Sequence, residues 1–227
     1  MNFTFGIITN GENDVFLNEI IKSIHHQKIP NYEILIIGNS EVDGEMVKVI
    51  PFDETIKSTW ITKKKNIITS ESKYDNIVFL HDYVKFLDGW YEGQMDCGNE
   101  FFVRMDIVVD NDGQRFRDWC IWPGNGNEMD SIIGLDCLIP YDISNLSKYM
   151  YISGTYWVAK KHVMIEFKLN EDLIWCQGED LEWSERIKNK YKISFNKNSS
   201  VRLLKQKDVI FKSFSNNTLE FIKKNYI

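Results

Sequence analysis

Along the chain, short apolar runs alternate with stretches whose apolar residues recur every three or four positions. Phe3 to Ile8 is such a run, and the turn cluster Thr9-Asn10-Gly11-Glu12-Asn13 ends it. From about Asp14 to Gln27, residues Phe16, Leu17, Ile20, Ile21 and Ile24 return at helical spacing, which predicts a strand followed by an amphipathic helix. Pro30 and Asn31 close the crossover, and Tyr32 to Ile37 predicts a second strand ending at Gly38-Asn39-Ser40. Two strands joined through a helix pair in parallel, because no tight hairpin connects them. Val47 to Pro51, Thr59 to Ser70 and Ile77 to Leu80 continue as strand, helix and strand. This alternation predicts an α/β fold with a mostly parallel sheet covered by helices on both faces.

After Phe101 the pattern changes. Phe102 to Val109 and Gln114 to Trp122 are strand-like runs around Asn111-Asp112-Gly113, a short-range hairpin signal. Pro123 to Asp142 is rich in Gly, Asn and Asp and longer than an ordinary connection, the mark of either a functional loop, such as a lid over bound substrate, or disorder. Tyr149 to Ala159 resumes strand character through Ser153-Gly154-Thr155, and a helix follows from about Lys161. A last major helix opens near Glu179, Ile193 to Leu204 predicts a final strand or two, and Asn217 to Asn225 a short terminal helix. With 227 residues, 43% of them hydrophobic, and no repeat or linker, one domain over 1–227 is expected.

Composition narrows the setting more than the chemistry. Cys97, Cys120, Cys137 and Cys176 show no CxxC pairing and no zinc spacing with the four histidines, so a reducing compartment is expected. The N-terminus lacks a basic leader and no apolar run approaches membrane-spanning length, which predicts a soluble, cytoplasmic protein. The net charge of -6 hides an asymmetry: residues 1–185 carry 16 Lys and Arg against 31 Asp and Glu, whereas 186–227 carry 11 against 2. The basic tail is either a solvated face or a surface for a diphosphate or for anionic lipid. No nucleic-acid partner is expected.

Candidate chemistry concentrates in two distant stretches. In Asn76-Ile77-Val78-Phe79-Leu80-His81-Asp82-Tyr83 a buried-strand pattern ends abruptly in a histidine and a carboxylate. Ligands of open α/β sheets sit in the crevice beyond the carboxyl ends of the strands. In Trp175-Cys176-Gln177-Gly178-Glu179-Asp180-Leu181-Glu182-Trp183-Ser184-Glu185-Arg186 a glycine and two adjacent carboxylates precede an amphipathic run. Taken alone, this second stretch is either a helix cap or a reactive turn.

The order of these pieces over most of residues 3–195 resembles the family 2 glycosyltransferases, inverting enzymes of the GT-A fold, in which a DxD-like motif ends a strand and an ED motif opens a later helix. The resemblance implies a mixed, mostly parallel central sheet flanked by helices, with a small antiparallel sheet on the acceptor side. It divides the chain into a nucleotide-binding half (1–100), an acceptor-binding half (101–200) and the basic tail (201–227). The implied activity is single-displacement transfer of a sugar from a nucleotide sugar, UDP-linked, to a glycan or lipid-linked saccharide, as in surface polysaccharide synthesis.

Roles follow residue by residue. Asp180 matches the family's catalytic base and Glu179 the preceding Glu that contacts hydroxyl groups. Asp82 matches the ligand of a Mn2+ or Mg2+ ion that bridges the diphosphate. The motif reads His81-Asp82-Tyr83, so one carboxylate stands where relatives carry two, and His81 is either a ligand or ribose contact or a structural residue. The C-terminal histidine that several relatives offer to the metal has no counterpart after His162, which leaves Arg202, Lys205 or Lys207 to take up diphosphate charge. Thr9 and Asn39 match positions that read the base, and Lys65-Asn66 matches an Arg-Asn pair near base and phosphate, although a lysine run is also a common solvated helix face. On the acceptor side the resemblance implies Gly154, Trp157 and Trp183, with Trp175 as another aromatic that either stacks on a sugar or packs in the core.

Two rivals stand beside this reading. A sugar-phosphate nucleotidyltransferase would want a glycine-rich basic loop after the first strand, where this chain has Thr9-Asn10-Gly11-Glu12-Asn13. A non-catalytic binding module for sugar nucleotides or glycans would tolerate the single carboxylate of His81-Asp82-Tyr83.

Overall fold

A computed structural model of the protein describes residues 1–121, 137–143, 150–207 and 212–213, together with positions 217, 220, 223 and 224. Strand β1 (Phe3–Ile8) is buried on both faces, and its successive side chains point to opposite sides. Phe3, Phe5 and Ile7 pack with Leu17, Ile20 and Ile24 of α1 (Asp14–His26). Ile8 faces the other layer, which contains Ile68 of α2 (Ile61–Glu71). Helix α2 comes so close to the strand that a Cβ on Gly6 would lie 2.2 Å from Ile68.

β2 (Tyr32–Ile37), β3 (Val47–Ile50) and β4 (Asn76–His81) join β1 in parallel, in the order β3-β2-β1-β4. β10 (Tyr156–Lys160) then runs antiparallel to β4 and is followed by β6 (Val103–Val109), β11 (Ile193–Leu203) and β5 (Val84–Phe86), completing eight strands. Helix α3 (Trp90–Cys97) joins the layer of α1 through Trp90, while α4 (Lys161–Glu166) and α5 (Glu179–Lys188) join the layer of α2. In that second layer Trp157 stacks on Phe79 with ring centroids 4.9 Å apart and lies 5.5 Å from Trp183. Burying each such ring contributes about 1.5–3 kcal/mol, which makes this cluster a fixed platform for the neighbouring strand ends.

A second sheet of two-residue strands stands beside the first. β7 (Cys120–Ile121) pairs antiparallel with β8 (Cys137–Leu138) and β9 (Met150–Tyr151), and β12 (Lys212–Ser213) pairs parallel with β8. The architecture is thus the mixed α/β sheet with a small accessory sheet that the resemblance implies.

Most strand and helix ends fall within a residue or two of expectation, but the hairpin does not form as expected. Its arms meet at the single bridge Val109–Arg115. Asp110 Oδ1 accepts N–H groups of Asp112 (2.9 Å) and Gln114 (2.8 Å), which shapes the turn. The chain then bends at Arg117 (φ 43) and at buried Asp118, whose carboxylate accepts from Arg115, from the Trp119 N–H and from the Tyr141 hydroxyl. Those bonds carry the second arm away into β7. Strand β5 and helix α3 were not anticipated, because one is three residues long and the other carries Gly93 and little amphipathic signal. The proposed lid falls largely on 122–136, and most of the terminal helix on positions, outside the described residues. Among the described residues no helix is long and apolar enough to cross a membrane.

Candidate active site

Strands β1 and β4 end side by side, with Ile8 opposite His81, so their next residues meet at the carboxyl edge of the sheet. There the Thr9 hydroxyl donates to Asp82 Oδ2 (2.7 Å), Asn13 Nδ2 donates to the same oxygen (3.0 Å), and the Asp82 N–H donates to the Ile8 carbonyl (3.1 Å). The Thr9 carbonyl accepts from Lys64 Nζ (2.7 Å), which also pairs with Glu54. A cavity of about 450 Å³ opens above these groups and is further walled by Asn10, Trp175, Tyr83, Lys205 and Lys207.

The second stretch reaches the same edge from α5. Gly178 adopts the left-handed conformation (φ 74) that turns the chain into the helix, placing Glu179 and Asp180 in the first turn, where the helix dipole favours negative charge. The Gly154 N–H donates to Asp180 Oδ2 (2.9 Å), and the Gly154 carbonyl accepts from Lys65 Nζ (2.8 Å). Lys65 is 1% exposed and lies 4.4 Å over the Trp157 ring. Burial pulls its pKa down to about 8, opposed by the charges of Glu179 and Asp180. Burial pushes the Glu179 carboxyl up, and the Asp180 charge adds to that shift. These residues bound a second cavity of about 330 Å³, with Tyr151, Ser153 and Arg117 on its walls.

The two cavities share His81, Tyr83, Trp175 and Lys207, and so form one continuous cleft. A backbone bond from the Leu204 N–H to the Tyr83 carbonyl (2.7 Å) draws the end of β11 to this shared wall. Lys207 Nζ donates to the Tyr83 hydroxyl (2.7 Å) and lies 4.3 Å from the Tyr83 ring centre, with Lys205 at 5.9 Å. Burial, then the neighbouring Lys205 and Arg117, lower Lys207 to about 8. His81 is held well below the usual imidazole range by burial and by Lys65 and Lys207, which disfavour its charged form.

Of the residues singled out in the sequence, Thr9, His81, Asp82, Gly154, Glu179 and Asp180 line this cleft. Lys65 lies beneath its floor, holding Gly154, and its neighbour Lys64 lines the cleft instead. Trp157 and Trp183 are each 1% exposed and belong to the core, whereas Trp175, 53% exposed, faces both cavities. Asn39 lines a separate depression of about 410 Å³ with Gly11, Asp14, Ser40 and Glu41. Arg202 sits within β11 opposite Lys85 and lines neither cavity of the cleft. Tyr83, Lys64, Tyr151 and Arg117 escaped sequence reasoning; for Tyr83 the signal was its place beside His81-Asp82 at a strand end.

Among the described residues the donor set does not fit a resident divalent cation. Asp82 is the one carboxylate of its motif, and its Oδ2 already accepts two hydrogen bonds. Among the described residues no group of three or more His, Cys, Asp and Glu is placed to hold a metal ion. A hard cation prefers several oxygen ligands.

No protein-family model matches the sequence, and no curated protein is significantly similar to it. Its fold is nonetheless that of solved GT-A glycosyltransferases. It superposes on a crystal structure of GalNAc-T7 with UDP, GalNAc and Mn2+ at a TM-score of 0.62 and 13% identity, covering 98% of this chain and 48% of that one. It also superposes on S. aureus TarS 1-349, at a TM-score of 0.58 and 11% identity over 89% of this chain and 60% of that one. The TarS structure in complex with UDP-GlcNAc gives the same score and identity over 92% and 60%. The protein therefore spans between about half and three-fifths of the length of these structures, and at such identities the likeness is one of fold.

Proposed function

We propose that the protein is an inverting glycosyltransferase that moves a sugar from a nucleoside diphosphate sugar, UDP-linked, to a hydroxyl group of a glycan or lipid-linked saccharide. The observation that carries this reading is the continuous cleft, with a half-buried carboxylate, Asp180, on one side and lysines on the other. The fold neighbours with UDP and with UDP-GlcNAc support uracil as the base.

In this reading the larger cavity takes the nucleoside, beside Thr9 and Asn10 with Trp175 as a stacking face, and the smaller one takes the acceptor. The acceptor oxygen attacks the anomeric carbon from the side of Asp180 and gives its proton to that carboxylate. The bond from the anomeric carbon to the diphosphate oxygen breaks, and its electron pair leaves with the diphosphate. Gly154 fixes Asp180 through its N–H, and Lys65 fixes Gly154 from below. Glu179, kept less acidic by burial, is placed to hold a substrate hydroxyl. Asp82 ties Thr9 and Asn13 together and so shapes the nucleoside side. The basic segment 186–227 fits work at an anionic membrane surface on the cytoplasmic side, where lipid-linked acceptors are presented.

Release of UDP from a panel of UDP-sugars, with and without saccharide acceptors, tests the reading. Turnover by the wild type that is lost in Asp180→Asn is expected. Saturable donor binding with no turnover would instead make the protein a binding module.

A further inference from the structure

The fold neighbour solved with Mn2+ and the single carboxylate of His81-Asp82-Tyr83 pose the same question: what receives the charge of the departing diphosphate here. The cleft supplies ammonium groups at the position where the two cavities meet. Lys207 lines both cavities, and its Nζ is held by the Tyr83 hydroxyl at 2.7 Å. Tyr83 is itself fixed, since it is buried and its carbonyl is bonded to the Leu204 N–H. Lys205 lies over the same ring and lines the nucleoside cavity, and Arg117 lines the acceptor cavity. Lys64, in contrast, is engaged with the Thr9 carbonyl and Glu54 and so is partly neutralised.

We infer that the diphosphate of the donor is bound by Lys207, assisted by Lys205, on the wall shared by the two cavities, and that this binding does not require a divalent cation. The inference rests on the transferase reading and deepens it by naming the groups that hold the leaving group. A lysine ammonium is a compact charge with three donors, suited to non-bridging phosphate oxygens. Placed between the nucleoside and the anomeric carbon, it meets charge where that charge develops as the glycosidic bond breaks. Asp82 then serves as a positioning residue for Thr9 and Asn13, in keeping with the two hydrogen bonds its Oδ2 accepts.

Calorimetric titration of the full chain with UDP, in EDTA and in MnCl2, tests this directly. The expected result is saturable binding in EDTA within about threefold of that in MnCl2, a loss of about tenfold or more in Lys207→Gln, and recovery of most of it in Lys207→Arg. Thermal unfolding of each unliganded variant checks folding; should Lys207→Gln not fold, Lys205→Gln and the wild-type comparison still decide. UDP binding only in the presence of Mn2+, or Lys207→Gln binding UDP in EDTA as the wild type does, overturns this assignment and leaves the transferase reading standing. No saturable binding in either buffer overturns both.

Discussion

The two cavities of the cleft share Lys207 but differ in the other charged groups on their walls. The larger cavity, proposed for the nucleoside, carries Lys64 and Lys205 beside the shared Lys207, and of its carboxylates Asp82 is occupied by Thr9 and Asn13 and Glu54 by Lys64, with Glu12 also on its wall. The smaller cavity, proposed for the acceptor, carries Glu179 and Asp180 at a helix start together with Arg117 and the shared Lys207, and Lys65 lies beneath Gly154. The cleft therefore has a lysine wall where its cavities meet and a pair of carboxylates in the smaller cavity. A displacement reaction needs both: a cationic place for the departing anion and a carboxylate to take the acceptor's proton.

Removing the Asp180 charge has the largest expected effect. Asp180→Asn is expected to lower transfer about 1,000-fold while leaving UDP affinity within about twofold, as measured by initial rates and by calorimetry on the same preparation. Parallel loss of both would mean that the two sides do not divide their work.

Next in size is an effect on stability from the buried lysine. The pKa of Lys65 in the folded protein is about 8, below the ordinary lysine value of 10.5, so between these pH values the unfolded chain binds more protons than the folded one. Its contribution to stability therefore rises as pH increases through that window. Denaturant unfolding of the wild type against Lys65→Met should show the difference moving in favour of the wild type from pH 8 to 10, by on the order of 2–3 kcal/mol. A difference that is flat with pH would mean that Lys65 is not held in a desolvated place.

The smallest effect is on the nucleoside side. Asp82→Ala leaves the Thr9 hydroxyl and Asn13 amide without their shared acceptor, and the donor KM is expected to rise about tenfold with kcat changed about threefold or less. A collapse of kcat with KM unchanged would assign Asp82 to the reaction itself and undo the contrast drawn between the two carboxylates.

Much of this layout was legible in the sequence where one rule governed it. The alternating periods of Phe3–Ile8, Asp14–His26 and Tyr32–Ile37 foretold the parallel half, because short crossovers leave a strand few neighbours to choose from. His81-Asp82 was readable as a strand end, and Gly178-Glu179-Asp180 as a helix start, since both signals are local. What was not legible depends on distant pairing. Lys64 and Lys65 are adjacent on α2, and only the packing of that helix decides which reaches the cleft and which goes under Gly154. Lys207 is brought to the shared wall by the pairing of β11 with β5 and by the Leu204–Tyr83 bond, more than a hundred residues apart in sequence. Aromatic identity likewise gives no hint that Trp157 and Trp183 pack against each other in the core while Trp175 stands exposed. The hairpin signal at Asn111-Asp112-Gly113 was right about the turn, but it could not register the pull of buried Asp118 on the arm that follows.

The most direct test of the central claim is a crystal structure of the protein with a bound UDP-sugar, grown in EDTA. The nucleoside is expected in the larger cavity beside Thr9 and Trp175, with a diphosphate oxygen about 3 Å from Lys207 Nζ and the anomeric carbon turned toward Asp180. A nucleotide lodged in the depression around Asn39, or a diphosphate lying away from the wall shared by the two cavities, would contradict it.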